Sequence, residues 1–441
     1  MVGKSNILFL FLFLALNSFN SGAVPNELDL RLEKIIRDNQ LSPLKKLEDI
    51  PQPLSFLGGN LFAETLLSGP KDISCMTCHH PMNGTGDSLP FPIGTGGVGM
   101  GRGRIQQSGL LSHRNSQPLY NLGYPEIEHM FWDGRVYRNS VTGELSTPVE
   151  SLNGSDPQLI EVTKVFKSSV SVQAIFPLIN DAEMRGKDND IADAKTDEES
   201  WEAIMKRLLE GEGKNKYREL FKKAYPGTKK FNIGHVGQAI GAFIQDQFYV
   251  ADTPYDRYLA GDLDAMTDSE KRGLIAFTER GKCMQCHNGP HLSNFLFKTV
   301  ATPQFNSTVL KEPYDQGRYE VTKQKRDLFK FKTPALRNLA LTAPYMHNGA
   351  FATIEEAVDH YNDPKEQLEA FSLERVDLSA YTDEFVLDRD SRRNKLRVNL
   401  ISIGEVRRGI NLTPEERLDL IQFLKTGLLD YRFQRGRSLG P

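Results

Sequence analysis

Apolar side chains recur at three- and four-residue steps over Leu28 to Ile36, Trp201 to Leu209, Tyr217 to Ala224 and Ile233 to Phe248, the spacing that gives a helix one buried face. Strand-type alternation is scarce. Thr267 with Glu270, Thr353 with Glu356, and Thr413 with Glu416 each match the S/T-x-x-E capping box, and Pro414 adds a proline at the first helical position. Three helix starts are thereby marked. The helix opened by Thr267 is expected to end near Gly281, and Ala251 to Ala265, with Thr253-Pro254 and Gly261, reads as a junction between two halves. Trp201, on an amphipathic helix, reads as core. Residues 137–170, rich in Ser, Thr, Asn and Gly, read as a long surface excursion. The pattern predicts a mainly α protein with long loops.

The chain has 441 residues, 39% hydrophobic and 25% charged, which is globular composition with room for two or three domains. Its formal charge of −3 offers no basic field for nucleic acid or an anionic membrane. Lys4, the ten-residue apolar run Ile7 to Leu16 and the ending Ser21-Gly22-Ala23 form the three-part layout of a secretory signal. Cleavage is expected after Ala23, leaving a periplasmic chain; an uncleaved anchor is the weaker reading, because a span needs about 20 apolar residues.

In an exported protein four cysteines suggest two disulfides. Their arrangement points elsewhere, because all four fall in Cys75-Met76-Thr77-Cys78-His79 and Cys283-Met284-Gln285-Cys286-His287. C-x-x-C-H is the attachment signal of c-type haem: two thiols add to the vinyl groups and the adjoining histidine becomes the proximal iron ligand. A four-thiolate zinc site would bring its pairs about 15–20 residues apart, and a thioredoxin-like pair would need a βαβ pattern. Two covalent haem c groups are therefore expected, one in each of two cytochrome c-like domains, 24–252 and 253–441, after the leader 1–23. The six glycines of Gly94 to Gly103 lack the Lys-Ser/Thr ending of a phosphate cradle and suit a loop closing over a planar cofactor.

From about Leu61 to the helix after Thr413 the sequence resembles the bacterial di-haem cytochrome c peroxidase and MauG superfamily. Three blocks carry the resemblance besides the haem motifs. They are Arg114-Asn115-Ser116 with Phe131-Trp132-Asp133-Gly134-Arg135; Gln173-Ala174-Ile175-Phe176-Pro177 with Glu183-Met184; and Phe331-Lys332-Thr333-Pro334-Ala335-Leu336-Arg337-Asn338 through Ala343-Pro344-Tyr345-Met346-His347-Asn348-Gly349 to Tyr361.

The resemblance implies a peroxidase whose N-terminal haem is the peroxidatic one, with Glu183 over it as acid–base group and Gln173 and Pro177 lining the pocket. Desolvation in an apolar pocket can tune such a carboxylate toward the working pH. Without the resemblance, Glu183 would read as a solvated glutamate beside Arg185 and Lys187. Trp132 matches the tryptophan that relays electrons between the haems, against an otherwise plain core role.

Better-known peroxidases place a histidine some eight residues before the Arg-Asn-Ser block. Gln107 stands at that offset here, which predicts an open N-terminal haem in the resting ferric state, with His113, His80, Met82 and Met100 as alternative ligands. On the C-terminal haem Tyr361 stands where electron-transfer peroxidases carry methionine and MauG-like enzymes carry tyrosine. Met346 and His360 remain as alternatives to Tyr361. The resemblance also implies one calcium ion at Asn115, Thr342 and Pro344, whose oxygens suit that hard cation.

The resulting expectation is a MauG-like periplasmic di-haem peroxidase acting on hydrogen peroxide, with electrons from a small cytochrome or cupredoxin, or with a protein as substrate. A non-catalytic di-haem electron carrier is the rival reading.

Overall fold

The computed structural model describes residues 24–434 except 155, 157–158 and 311–313; the expected leader 1–23 lies outside the described residues. The fold is mainly helical, as expected, with short antiparallel pairings between loops. Each helix read from the apolar spacing is present: Glu27–Asp38, Asp197–Leu209, Lys214–Ala224 and Ile233–Gln247. The three capping boxes are all formed, with Thr267, Thr353 and Thr413 accepting from the backbone N–H of Glu270, Glu356 and Glu416. The helix opened by Thr267 stops at Thr278, slightly before the expected Gly281.

Two large apolar cores organise these elements. In the first, Gln52–Phe62 crosses Ile233–Gln247 at backbone contact: a Cβ on Gly58 would lie 1.9 Å from the Ala239 carbonyl oxygen. Trp201 is buried there, its Nε1 donating to the Ile175 carbonyl at 3.2 Å, so its core reading holds. In the second, Asp268–Thr278 lies against Pro414–Gln422, which also meets Ile354–Asn362.

Packing departs from chain order in three places. Helix Glu27–Asp38 buries Leu32 and Ile35 in the second core, where Asp29 meets Lys271 at 2.7 Å and accepts from the Tyr258 hydroxyl at 2.8 Å. It thus packs across the expected 252/253 division, because Lys271 needs a buried counter-charge. At the other end, the Tyr431 N–H donates to the Asp252 carbonyl at 2.9 Å and Phe433 packs on Tyr120. The expected junction 251–265 is itself core: it holds helix Pro254–Leu259 with Tyr255, Asp256 and Tyr258 buried, and Asp256 accepts a two-pronged contact from Arg337.

The reading of 137–170 as a surface excursion is corrected. Leu145, Val149, Leu152, Val162, Phe166 and Val170 are buried in the first core. Val136–Arg138 and Leu145–Ser146 form two strands of a three-stranded sheet with His129–Met130. Polar composition hid one apolar residue every few positions, enough to anchor the segment.

The two halves meet on a buried ion cluster. Arg114 donates from Nε and Nη2 to the two oxygens of Asp315 at 2.6 and 2.8 Å, from Nη1 to Asp133, and from Nη2 to Glu320 at 3.0 Å. Arg114, Asp133 and Asp315 are all buried. Burial opposes the charge of Asp133 and Asp315, yet Arg114 outweighs it and holds both carboxyls below their usual range. Asp315 also accepts from the Gly317 N–H at 2.7 Å, and Lys332 N–H donates to the Trp132 carbonyl at 2.7 Å.

The glycine tract folds as a hairpin, Gly97–Val98 with Ile105–Gln106, pinned by the buried Arg104, which donates from Nε to the Ile93 carbonyl at 2.6 Å. It lies on the segment of Glu183: Thr95 N–H donates to the Glu183 carbonyl at 2.9 Å, and a Cβ on Gly94 would sit 2.1 Å from the Ala182 carbonyl oxygen.

Two outcomes are expected. Arg114→Ala strands two buried carboxylates and lowers unfolding free energy by about 3–5 kcal/mol in urea titrations. Because the folded-state pKa values of Asp133 and Asp315 are depressed, the wild-type contribution is present at neutral pH and fades below about pH 4. Gly94→Ala forces the hairpin off the Glu183 segment and costs about 1–3 kcal/mol by the same measurement.

Candidate active site

The first haem-attachment motif is a single helical turn, Cys75–Cys78, closed by Ser74 N–H donating to the Thr77 hydroxyl at 3.0 Å. Residues three apart on a helical turn share a face, so both thiols project together. They are free, and burial pushes them up, Cys75 to about 12. His79 donates its backbone N–H to the Cys75 carbonyl at 2.9 Å and its Nδ1 meets the Thr85 carbonyl at 2.9 Å, with the Ser116 hydroxyl at 3.3 Å.

The second motif repeats this layout on a tighter turn, Cys283–Gln285. His287 N–H donates to the Cys283 carbonyl at 2.8 Å and its Nδ1 to the Leu292 carbonyl at 3.0 Å. Burial pushes the His287 imidazole down to about 4. In both histidines the carbonyl fixes the proton on Nδ1 and leaves Nε2 as the lone-pair nitrogen, which is how an axial ligand is oriented and kept neutral. An apolar cavity lies against Cys283, Cys286 and His287, walled by Leu336, Ile354 and Val358. Paired free thiols, a neutral imidazole and an apolar wall fit a covalent haem.

Tyr361 lines the same cavity, and so does Met346. His360 does not: one residue on along the helix turns the side chain about 100°, and its Nε2 donates to the Val300 carbonyl at 2.7 Å while the ring packs beside Phe351. Burial and the nearby Cys286 and Cys283 thiols raise the Tyr361 hydroxyl.

Trp132 is buried on the edge of that cavity, where its Nε1 donates to the Asn115 carbonyl at 2.8 Å. Its carbonyl is held from the other half by Lys332. Both ends of the residue are thus fixed at the seam.

Glu183 sits on a compact turn in which Met184 N–H donates to the Pro177 carbonyl at 3.2 Å and Glu183 N–H to the Asn180 carbonyl at 3.0 Å. Its Oε1 accepts from the Asn180 side-chain amide at 2.9 Å. The carboxyl keeps some accessible surface but is deeply set; desolvation raises it, partly offset by Arg135. It acts electrostatically on the Cys75 and Cys78 thiols, so this carboxyl and the first motif share one region. Arg185 turns instead toward Asp181 and Asp197, at 3.5 and 3.9 Å. Gln173 ends helix Ser169–Gln173, and its Oε1 is buried without a hydrogen-bond partner among the described residues.

Gln107 is exposed, as are Met82 and Met100. His80 accepts the Met82 N–H at its Nδ1, and His113 is half-buried beside Arg114, lowered to about 4 by burial. Among the calcium candidates, Asn115 donates its side-chain amide to the Leu89 carbonyl at 2.7 Å, leaving Oδ1 as an oxygen donor, and Thr342 donates its hydroxyl to the Leu339 carbonyl. Among the described residues no cluster of three or more His, Cys, Asp or Glu is placed to hold a metal, so a cation there would depend on carbonyl and amide oxygens.

Three buried ionisable groups escaped the sequence reading. Asp87 is pushed up to about 7 by burial, with Oδ2 unpartnered among the described residues. Lys332 lines the cavity at the second motif, is lowered to about 8 by burial and donates from Nζ to the His129 carbonyl at 3.1 Å. Asp315, the chief partner of Arg114, lies 201 residues away along the chain.

Comparison with known proteins gives the family of the chain. A family model described as di-haem cytochrome c peroxidase matches residues 53–264. The cytochrome c551 peroxidase of Pseudomonas aeruginosa is 30% identical over 308 residues, covering 68% of this chain and 69% of its own length. The methylamine utilization protein MauG of Methylorubrum extorquens is 25% identical over 338 residues, covering 75% of this chain and 76% of its own. In fold, a MauG-like protein associated with microbial copper homeostasis superposes with a TM-score of 0.59 at 23% identity, over 88% of this chain and 93% of that one. The chain belongs to the di-haem cytochrome c peroxidase family and is an oxidoreductase of the peroxidase class.

Proposed function

We propose that the protein is a periplasmic, MauG-like di-haem peroxidase that reduces hydrogen peroxide at an N-terminal haem held by Cys75, Cys78 and His79. Electrons reach it through a second haem held by Cys283, Cys286 and His287. In chain order the two haem units are 24–252 and 253–441, exchanging their terminal helices, after a cleaved leader 1–23.

The observation that carries this reading is the deeply set, desolvated Glu183 carboxyl on the turn that the glycine hairpin holds, whose charge reaches the Cys75 and Cys78 thiols. A ferric haem supplies the metal centre at which a peroxide oxygen–oxygen bond breaks. Glu183 takes a proton from one peroxide oxygen and delivers it to the other, the leaving oxygen, which departs as water. Its raised pKa brings the proton-accepting and proton-donating forms closer in free energy near neutral pH. In this reading the unpaired, buried Gln173 oxygen accepts a hydrogen bond from peroxide, and Pro177, which lacks an N–H, adds an apolar wall. Trp132, fixed at both ends, would relay electrons between the two haems. Gln107 is exposed, and in this reading the N-terminal iron would lack a protein ligand from that offset.

Tyr361, which lines the cavity at the second motif, would hold the second iron in this reading, a hard oxygen in place of the thioether that raises haem potential. That choice favours stored oxidising equivalents and a protein substrate over a small cytochrome or cupredoxin donor. A calcium ion bound by Asn115, Thr342 and Pro344 completes the seam.

Glu183→Gln is expected to lower kcat/KM for peroxide about 10²–10⁴-fold with both haems still attached; unchanged turnover contradicts the assignment. In the wild type, activity falls as pH drops through the raised Glu183 pKa, and the variant loses that acidic limb. Tyr361→Phe is expected to change the ferric optical and EPR signals of one haem only. An unchanged spectrum removes Tyr361 as a ligand. A carrier without catalysis would show no peroxide reactivity at all.

A further inference from the structure

We infer that Glu126, on the first half, is a positioning residue for the proximal histidine of the second haem, tethering the loop that orients His287. This rests on the reading that Cys283, Cys286 and His287 hold a haem.

The imidazole of His287 is oriented by the Leu292 carbonyl, at 3.0 Å from Nδ1, with the Pro334 carbonyl also acting on the ring. The Leu292 carbonyl belongs to the tight loop 288–294, closed by Leu292 N–H to the Gly289 carbonyl at 3.0 Å and Ser293 N–H to the Asn288 carbonyl at 2.9 Å. The residue before Leu292 is His291, which is buried and donates from Nε2 to Glu126 Oε1 at 2.9 Å across the seam. Its ring is held edge-on between Tyr124, at 4.6 Å between centroids, and Phe295, at 5.3 Å. Its Nδ1 is buried without a partner among the described residues, so Glu126 is the sole hydrogen-bond anchor of that ring.

The other holds on the loop come from its own half: Arg337 donates to the Pro290 carbonyl, and the Ser293 hydroxyl to the Thr333 carbonyl at 2.8 Å. Glu126 is the hydrogen bond by which the first half grips it. The carboxylate is half exposed while the imidazole is buried, so losing it frees the ring without opening a core cavity.

Proximal-ligand hydrogen bonding sets haem potential: a firm Nδ1–H···O=C bond gives the imidazole more anionic character and stabilises ferric iron. Releasing His291 lets the Leu292 carbonyl drift, weakens that bond and raises the potential of the His287 haem. Through Glu126 the docking of the two halves is coupled to the driving force between their haems.

The test is a spectroelectrochemical titration of the di-haem holoprotein, with two attached haems confirmed by mass. Glu126→Ala should raise the midpoint of the His287 haem and leave that of the His79 haem in place, and Glu126→Gln, whose amide oxygen still accepts from Nε2–H, should retain most of the wild-type value. An unmoved midpoint in Glu126→Ala, equal shifts in both haems, or Glu126→Gln shifting as far as Glu126→Ala would each overturn the tether. Absence of the second haem would instead remove the functional reading beneath it.

Discussion

The seam between the two halves depends on Arg114. One guanidinium, always charged, reaches one buried carboxylate from each half: Asp133, next to Trp132, and Asp315, from the second half. Taking three charges out of water is unfavourable unless their geometry is good, so the cluster tolerates one arrangement of the halves and penalises others. Its value is position more than stability. With Lys332 holding the Trp132 carbonyl and Asn115 taking the indole N–H, the aromatic ring that borders the cavity at the second motif is fixed relative to the first motif.

The same economy orders the haem-binding motifs. Each is a short turn whose histidine is oriented by a backbone carbonyl supplied within the next few residues, Thr85 for His79 and Leu292 for His287. Local geometry therefore presents the ligand, and the packing beyond it tunes the ligand. Across the first motif the glycine hairpin performs the matching task for Glu183, since only a residue without a side chain can lie against the Ala182 and Glu183 carbonyls.

What could be read from the sequence was what is local. The helices have their apolar period, the capping boxes their two polar partners, and both haem motifs their five consecutive residues. Which of His360 and Tyr361 faces the cavity needed the helix phase: His360 donates to the Val300 carbonyl, while Tyr361 lines the cavity together with Met346. The 137–170 segment misled because its composition is polar while its sparse apolar residues are the buried ones. Helix Glu27–Asp38 and Asp315 misled for another reason: their partners, Lys271 and Arg114, lie more than two hundred residues away, and no local spacing announces such a pair.

The claim on which the rest depends is that the rigid seam makes the two haem sites one redox unit. The direct measurement is EPR and optical spectroscopy of the fully ferric holoprotein before and after one equivalent of hydrogen peroxide. The account predicts that the signals of both haems change together, from a resting spectrum that includes an open ferric haem. A resting spectrum of six-coordinate low-spin haem alone, or a response confined to one haem, would contradict it.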